Sequence, residues 1–339
     1  MAKCIPNPYI TIDVAEAETG WIVLEAGDGG VSGPAPGQAP GVHTTISYAS
    51  TDGEYKDDGK RKCFVVNGRY RCHNLEAHGF ALMRAPLEKT QGHDLYNYLV
   101  ASKVLYPLAE DVLRRAFPTS TKVLVFDHIA RNDARYAQEA KAGEITKMLA
   151  SSYAFHVHGD YTVRSGFSRA RSLLEPHEDS GRIEAAIQQR FAFVNVWVPL
   201  KKVERDPLGM IEWSSQRPQD VVSIKFIYPH RTGEIYRVLP SDHHRWVYYP
   251  DMMPGECLIF KVFDSATDGR SRFSLHAAFQ DPNCQPDAPS RESIEMRCVV
   301  FFGDLPKDFA SSFVAPPMPQ SSRHGAGRCR AIPKPILCN

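Results

Sequence analysis

The chain has 339 residues and a formal net charge of +1, with 40 basic and 39 acidic residues interspersed along it. This balance excludes the basic surface expected of a protein that binds nucleic acid or an anionic membrane, and it favours a small, roughly neutral ligand. The chain opens without a basic segment and apolar core, and it has no apolar run of about 18 residues, so we expect a soluble cytoplasmic protein without a membrane partner.

Cysteine usage indicates the same setting. The eight cysteines form no Cys-x-x-Cys pair, which argues against a structural zinc site: Cys4, Cys63, Cys72, Cys257, Cys284, Cys298, Cys329 and Cys338. We expect free thiols in a reducing compartment. The length fits two average domains or one large barrel, and we favour one structural domain. A homodimer is compatible with the sequence.

Residues 1–150 are predicted to form a helical and hairpin elaboration packed on a barrel. Residues 26–42 are rich in Gly, Pro and Ala and indicate a loop, because their glycines do not match a phosphate-binding spacing. A strand is predicted at 41–50, and Asn67-Gly68 predicts a hairpin turn between 62–66 and 69–72.

Helices and a strand are predicted for the rest of this part. Apolar residues recur at helical spacing over 94–117, and Pro118 ends the run. A buried strand is expected at 122–126, followed by a second helix with mixed charges at 134–150.

The pattern from residue 151 predicts mainly strands, in a catalytic core over 151–305. A helix is predicted only at 181–190, and the Pro- and Ser-rich tail over 306–339 is expected to pack loosely or be disordered. Strands are predicted at 191–200, 221–228, 234–238, 246–249, 256–263 and 293–302. With the two segments described next this makes about eight strands, so we expect a mainly β fold with flanking helices and a double-stranded β-helix (jelly roll, cupin-like) core.

The most informative motif is His158-Gly159-Asp160, which is followed much later by His276 in RFSLHAAFQDP. Residues two apart on a strand project to one face, and we predict a strand from residue 153 to a turn near Gly166 and a second strand over 272–279. Two histidines and one carboxylate leave octahedral positions open for a chelating co-substrate and dioxygen, which is the ligand set of non-haem Fe(II) oxygenases.

Other interpretations of these residues stay open. A lone histidine is most often a hydrogen-bonded structural residue, and this set can also hold zinc with a water, as in a hydrolase. His156 shares a face with His158 and could form a His-x-His set that leaves Asp160 unused. A structural or pocket-lining role is expected for His243 and His244, because adjacent strand residues face opposite ways.

Several blocks in the second half of the chain resemble a known family. They are VHGDYT at 157–162, NVWVPL at 195–200, YPHRTGEIYRV at 228–238, HRWVYYPDMMPGECLIFKVFDS at 244–265, RFSLHAAFQDP at 272–282 and PSRESIEMRCVVFF at 289–302. They are similar to the fungal hydroxylase/desaturase family, which includes gibberellin-desaturase-like and aspergillic-acid-type enzymes and is related to the small component of bacterial cephalosporin methoxylases. The resemblance implies a double-stranded β-helix and oxidative tailoring of small natural products, by hydroxylation, desaturation or oxidative cyclisation, with Fe(II), 2-oxoglutarate and dioxygen.

The resemblance also implies roles for individual residues. His158, Asp160 and His276 take the three iron positions. In this superfamily an arginine on the strand after the distal histidine, helped by a hydroxyl two residues on, binds the far carboxylate of 2-oxoglutarate, and Arg291 with Ser293 supplies that pair. Arg291 follows His276 by 15 residues, longer than the usual spacing, and a proline-containing loop is expected to absorb the excess.

Further residues complete the predicted site. Arg297 lies on the same face as Arg291 by period-two alternation and is the second candidate for the co-substrate. Asn195 is a polar residue in a dry strand and needs a partner, either a ligand oxygen or a backbone group. Aromatic residues that could line a substrate cavity, although such residues are more often core, are Tyr161, Trp197, Tyr228, Tyr236 and Trp246.

Two further functions remain as alternatives. An iron oxidase on the same fold would draw all its electrons from the substrate and would need no 2-oxoglutarate. The chain could instead be the non-catalytic component of a two-protein oxygenase, although the intact ligand set argues against that.

Overall fold

The computed structural model describes residues 40–50, 56–87, 90–141, 150–227, 232–315 and 330–331. Within these ranges the strands are β1 (Gly41–Ser47), β2 (Lys60–Asn67), β3 (Phe80–Arg84), β4 (Lys122–Arg131), β5 (His158–Gly159), β6 (Phe191–Pro199), β7 (Leu208–Ile211), β8 (Val221–Ile227), β9 (Thr232–Val238), β10 (Trp246–Tyr248), β11 (Glu256–Asp264), β12 (His276–Ala278), β13 (Ser293–Phe301) and β14 (Arg330–Ala331). The α-helices are α1 (Tyr98–Ala116), α2 (Asp133–Lys141), α3 (Val163–Leu174) and α4 (Ser180–Gln188).

The strands form two sheets. One has the strand order β1-β2-β10-β7-β12-β5-β9-β8-β14, and the other has the order β3-β11-β6-β13-β4. This mainly β architecture with flanking helices is the predicted fold class. Strands β1 to β4 belong to these sheets, so the predicted boundary at residue 150 does not separate the sheets from the segment before them.

Three apolar clusters pack against the sheets. The first lies between the two sheets and includes Trp197 and Phe260 from one sheet and Met210 from the other. The second lies between the five-stranded sheet and α1, and the third covers the opposite face of the nine-stranded sheet. Every residue of β6 is buried because its alternate side chains belong to the first and second clusters.

All three predicted helices are present. Helix α1 begins after Asn97, whose side chain accepts hydrogen bonds from the backbone N–H groups of Leu99 and Val100. Its buried stripe, Ala101, Leu105, Ala109, Val112 and Leu113, packs on β4 and β13. Helices α2 and α4 lie where the second and third helices are predicted. In the described part of the chain, no helix is long and apolar enough to cross a membrane.

The predicted hairpin at Asn67-Gly68 is wrong. A two-residue hairpin turn needs positive φ angles, whereas Asn67 has a φ of −70° and caps a 3-10 turn at Gly68–Tyr70 through a 2.9 Å hydrogen bond from the Arg69 N–H. Strand β2 pairs instead with β1 and, in parallel, with β10. The two carboxylate oxygens of Glu256 each accept a 2.8 Å hydrogen bond from Arg69.

The strand predicted from residue 153 to a turn near Gly166 is also wrong, because only His158–Gly159 form a strand and α3 begins at Val163. Thr162 is the N-cap of α3, because its hydroxyl accepts a hydrogen bond from the Ser165 N–H at 3.1 Å and the Ser165 hydroxyl accepts one from the Thr162 N–H at 2.9 Å. The predicted strand over 272–279 is only three residues long as β12, and strand β7 is not among the predicted elements.

Several predictions fall on residues that the structure does not describe. They include most of the loop at 26–42, the end of the helix at 134–150, Tyr228 and most of the C-terminal tail. Within the described start of the tail, Phe309 and Ala310 are buried in the first apolar cluster.

Candidate metal centre

The three predicted ligand residues lie together between the two sheets. Strands β5 and β12 are antiparallel neighbours, and His276 is the direct partner of His158. Asp160 follows β5 immediately, before the chain enters α3. His276 is also the partner of Met210, whose side chain belongs to the apolar cluster between the sheets, so both histidines face that interior.

The ligand atoms of these side chains are close to one another. The Oδ1 atom of Asp160 lies 3.5 Å from Nε2 of His158 and 3.9 Å from Nε2 of His276. The two imidazole rings have centroids 4.4 Å apart. One ligand atom from each residue lies within 4.8 Å of the others, so the group could hold a metal ion. Exposed His156 is not part of it.

Backbone carbonyl groups orient both imidazoles in the same way. Nδ1 of His158 lies 2.8 Å from the carbonyl oxygen of His156, and Nδ1 of His276 lies 3.0 Å from that of Ser274. Because a carbonyl can only accept, each Nδ1 carries the proton and donates it. Each Nε2 lone pair is therefore free to bind a cation, which is the arrangement that metal-binding histidines usually have.

The protonation states suit a divalent cation. Burial, assisted by His158, lowers the pKa of His276 to about 4, so this imidazole is neutral near pH 7. Burial also lowers the pKa of His158, but the hydrogen bond and charge of Asp160 outweigh it and the net pKa is raised. Burial raises the pKa of Asp160, yet the two histidines hold it below its usual range. The Asp160 carboxylate is therefore ionised and available to a cation.

Asn195 approaches the centre from the facing sheet. Its Nδ2 donates a 2.9 Å hydrogen bond to Oδ2 of Asp160 and a 3.2 Å hydrogen bond to Oε1 of Glu295. The prediction that this residue needs a polar partner is met by side chains and not by a backbone group. Glu295 is absent from the sequence predictions, and period-two alternation from Ser293 is the signal that places it on the interior face.

Arg291 and Ser293 lie at the start of β13 with their side chains buried, at 2% and 1% exposure. The Arg291 Nη1 donates to the carbonyl of Asp206, and the guanidinium carbon lies 4.2 Å from the centroid of the Tyr153 ring. Its Nε and the Ser293 hydroxyl have no hydrogen-bonding partner in the described structure. Burial lowers the pKa of Arg291 to about 10, so it remains a cation at neutral pH. The pair can therefore accept a carboxylate.

Arg297 differs from Arg291 in already having carboxylate partners. Its Nη1 donates to Oδ2 of Asp127 at 2.9 Å, and its Nε lies 3.6 Å from Oε1 of Glu295. A guanidinium that already pairs with carboxylates is less suited to a further one than Arg291, whose hydrogen bond goes to a backbone carbonyl. Contacts with neighbouring residues thus favour Arg291 over Arg297.

Arg131 is a third arginine near the centre, and it is absent from the sequence predictions. It is the cross-strand partner of Ser293 and so shares its interior face, where its Nη1 donates to the Ser152 carbonyl at 2.6 Å. The positive charge of Arg131 also lowers the pKa of His158 and of His276, although burial and the contacts within the ligand set have larger effects on both. Strict alternation from the predicted strand at 122–126 would not have placed it on this face, because the pairing of β4 with β13 shifts register between Val125 and Asp127.

The predicted aromatic residues separate into two groups. Tyr161 stacks on Phe193 at 4.8 Å, and the Trp197 ring lies 5.5 Å from the Arg291 guanidinium, so both face the interior. Tyr236 and Trp246 instead belong to the cluster on the opposite face of the nine-stranded sheet. The prediction that these two residues line the pocket is wrong, because alternation along their strands turns their side chains away from the ligand set.

Comparisons with known proteins agree with this architecture. A family model described as "Oxidoreductase/YMDC permease-like domain" matches residues 36–301. The hydroxylase/desaturase efuI of Hormonema carpetanum is 32% identical over 307 residues, which cover 80% of this chain and 98% of that protein. The alpha-ketoglutarate-dependent dioxygenase phiK of a fungal species is 29% identical over 246 residues, covering 70% of this chain and 83% of its own.

A solved structure supports the fold. The iron and alpha-ketoglutarate-dependent endoperoxidase NvfI superposes with a TM-score of 0.65 at 20% sequence identity, and the match covers 78% of this chain and 99% of that one. At this identity the similarity establishes the fold alone. The two facing sheets are therefore a jelly-roll core, as the sequence predicts.

Proposed function

Because the chain belongs to the hydroxylase/desaturase family of oxidoreductases, we propose that His158, Asp160 and His276 bind Fe(II) and that Arg291 and Ser293 bind the far carboxylate of 2-oxoglutarate. The enzyme is a dioxygenase that hydroxylates, desaturates or oxidatively cyclises a small natural product. The observation that supports this proposal most strongly is the ligand set: the Nε2 atoms of His158 and His276 both lie within 4 Å of Oδ1 of Asp160.

The residues of the chain have distinct tasks in this proposal. When bound, Fe(II) with 2-oxoglutarate and dioxygen supplies the oxidation of an unactivated C–H bond. The backbone carbonyls of His156 and Ser274 keep both imidazoles in the metal-binding tautomer. The buried guanidinium of Arg291 recognises a carboxylate that the fold itself does not provide.

The interior also supports 2-oxoglutarate over an oxidase that works without it. Leaving a buried guanidinium nitrogen and a buried hydroxyl without partners costs about 1–3 kcal/mol for each group. Arg291 and Ser293 present this combination two residues apart, with Ser293 as the first residue of β13 and Arg291 just before it. A dicarboxylate that reaches from the ligand set to β13 would satisfy both groups at once.

We also propose a cytoplasmic setting without a nucleic-acid or membrane partner, and the sequence is compatible with a homodimer. Four of the cysteines that the structure describes, Cys63, Cys257, Cys284 and Cys298, are free thiols, which fits a reducing compartment. The net charge of +1 supports a small-molecule substrate.

Anaerobic binding of Fe(II) to the apoprotein tests the ligand assignment. Replacing a ligand should weaken binding by at least about 100-fold in His158→Ala, Asp160→Ala and His276→Ala. His156→Ala is the matched control, because it keeps the carbonyl that orients His158 and changes a side chain outside the ligand group. Its affinity should stay within about threefold of the wild type.

Two results would contradict the proposal. Loss of binding in His156→Ala with retention in Asp160→Ala would establish the His-x-His set instead. Tight zinc binding together with oxygen-independent hydrolytic turnover would identify the zinc hydrolase that the same residue types allow.

A further inference from the structure

The amide of Asn195 lies between two carboxylates, those of half-buried Asp160 and buried Glu295. Nδ2 donates to Oδ2 of Asp160 at 2.9 Å and to Oε1 of Glu295 at 3.2 Å. An amide nitrogen carries two hydrogens, so each can serve one carboxylate. Asn195 is 1% exposed and Glu295 is 6% exposed, and water therefore competes little for these bonds.

This contact distinguishes the two oxygens of Asp160. Oδ2 is bound by Asn195, while Oδ1 lies 3.5 Å and 3.9 Å from the Nε2 atoms of the two histidines. A carboxylate held in this way presents one chosen oxygen to the centre. Rotation about its side-chain bonds would break the hydrogen bond to Asn195.

We infer that Glu295 is a positioning residue, which fixes the amide of Asn195 and through it the metal-facing oxygen of Asp160. With carboxylates on two sides, the amide must present its NH₂ group, because the flipped amide would place its carbonyl oxygen against two acceptors. Asp160 alone would also favour the NH₂ orientation, but only Glu295 engages the second hydrogen and stops the amide from rotating. This inference rests on the proposed role of Asp160 as an iron ligand.

Regular strands hold the chain of contacts in place. Asn195 lies in the middle of β6, and Glu295 lies in the neighbouring β13, where its direct partner is Trp197. Beyond Glu295, Arg297 lies 3.6 Å away and pairs with Asp127 on β4 at 2.9 Å. Groups supported by central strands keep their geometry better than groups on loops. In this series of contacts, Asn195, Glu295, Arg297 and Asp127 all lie on strands.

The test measures Co(II) affinity and the Co(II) ligand-field absorption spectrum in the apoprotein, without turnover. Asn195→Leu should weaken Co(II) binding about 10- to 100-fold and change the spectrum. Glu295→Met, which keeps the volume but removes the acceptor, should weaken it about tenfold, and Glu295→Gln, which keeps an acceptor, should restore affinity to within about threefold.

The double variant Asn195→Leu/Glu295→Met separates a role through Asn195 from an independent effect. If Glu295 acts through the amide, the double variant should bind Co(II) as weakly as Asn195→Leu alone. Additive losses, or wild-type affinity and spectrum in Glu295→Met, would overturn the inference. If Glu295→Met does not fold, equal losses in Glu295→Gln and Asn195→Leu would also overturn it, and wild-type affinity in Glu295→Gln beside a loss in Asn195→Leu would support it.

Two controls keep the outcomes distinct. Asn97→Ala removes the N-cap of α1 on the outside of the fold, so it should lower the melting temperature without changing Co(II) affinity. His158→Ala tests the proposed iron site itself. If His158→Ala binds Co(II) like the wild type, the proposed function fails; if only Glu295→Met does, the positioning role alone fails.

Discussion

Arg291 and Ser293 lie two residues apart at the start of β13, and each keeps a buried polar atom without a partner in the described part of the chain. Folding brings these groups out of water and provides no acceptor for the arginine Nε and no partner for the serine hydroxyl. This is a free-energy cost in the unliganded protein and a source of affinity in a complex with a carboxylate. The same two groups therefore lower the stability of the unliganded protein and raise its affinity for a carboxylate.

The first prediction concerns Ser293→Ala. Removing an unpaired buried hydroxyl should leave the unfolding free energy of the apoprotein unchanged or slightly higher, while 2-oxoglutarate affinity should fall about fivefold to tenfold, about 1 kcal/mol. Denaturant titration and ligand titration measure the two effects. Ser215→Ala is the matched control, since its hydroxyl donates to the Glu212 carbonyl at 2.7 Å, and it should destabilise without affecting affinity. A destabilised Ser293→Ala with normal affinity would contradict the assignment.

The second prediction concerns the N-terminus of α3, where Thr162 lies two residues beyond Asp160. Thr162→Val removes the hydroxyl that caps α3 and that lies 2.5 Å from Oε1 of Glu234, so it should lower the unfolding free energy by about 1 kcal/mol. Thr162→Ser keeps the hydroxyl and should cost less than about half of that. Urea denaturation of the two variants decides the matter, and equal losses would show that the cap is not responsible.

A buried histidine away from the metal centre gives a pH prediction. His128 stacks on Tyr98 with ring centroids 4.5 Å apart, and burial lowers its pKa to about 4 from 6.5. The folded state thus favours the neutral ring. The unfolding free energy therefore has its full value above pH 6.5 and decreases as the pH falls towards 4. The loss should be about 3 kcal/mol.

His128→Phe keeps an aromatic ring on Tyr98 and removes the titration. The difference in unfolding free energy between wild type and variant, measured by denaturant from pH 7.5 to 4, should become less favourable to the wild type as the pH decreases. Subtraction removes the contribution of His276, whose pKa is also lowered to about 4. A pH-independent difference would show that His128 does not titrate in this range.

The fourth prediction concerns a buried ion cluster on β11. Lys261 and Asp264 are both fully buried, and Nζ donates to Oδ2 at 2.7 Å and to Glu76 at 2.9 Å. Lys261→Met removes one of the two cations that bind buried Asp264, the other being Arg190 at 2.7 Å, and should cost about 1–3 kcal/mol. The exposed pair of Lys202 with Asp251 offers the matched control, and Lys202→Met should cost less than about 1 kcal/mol. Similar losses in both variants would contradict the role of burial.

The ligand residues could be predicted because their spacing carries the information. His-x-Asp on an extended segment places two side chains on one face, and this holds although β5 is only two residues long. Asn195 could be recognised as a polar residue in an apolar strand. Its partner could not, because Asp160 meets it only after the two sheets pack face to face.

Other parts of the fold depend on tertiary structure that local patterns do not contain. Helix α3 was missed because its N-terminal signal is Thr162 with Ser165, a weaker form of the usual capping box. Alternation shows which residues share a face with Tyr236 and with Trp246, but it does not show which face of each strand turns to the ligand set. Glu295 has the same difficulty, since a charged residue in a strand is usually on a solvated face.

In the proposed function, a metal at the ligand set and a carboxylate at Arg291 are parts of one site. Anaerobic titration of the Fe(II)-loaded protein with 2-oxoglutarate tests it through the visible metal-to-ligand charge-transfer band. The wild type should develop the band, His158→Ala should not, and Arg291→Ala should need at least about tenfold more 2-oxoglutarate. Arg297→Ala, whose guanidinium already pairs with Asp127, should stay close to the wild type. Iron binding without any band in the wild type would contradict the claim and would identify an oxidase that works without 2-oxoglutarate.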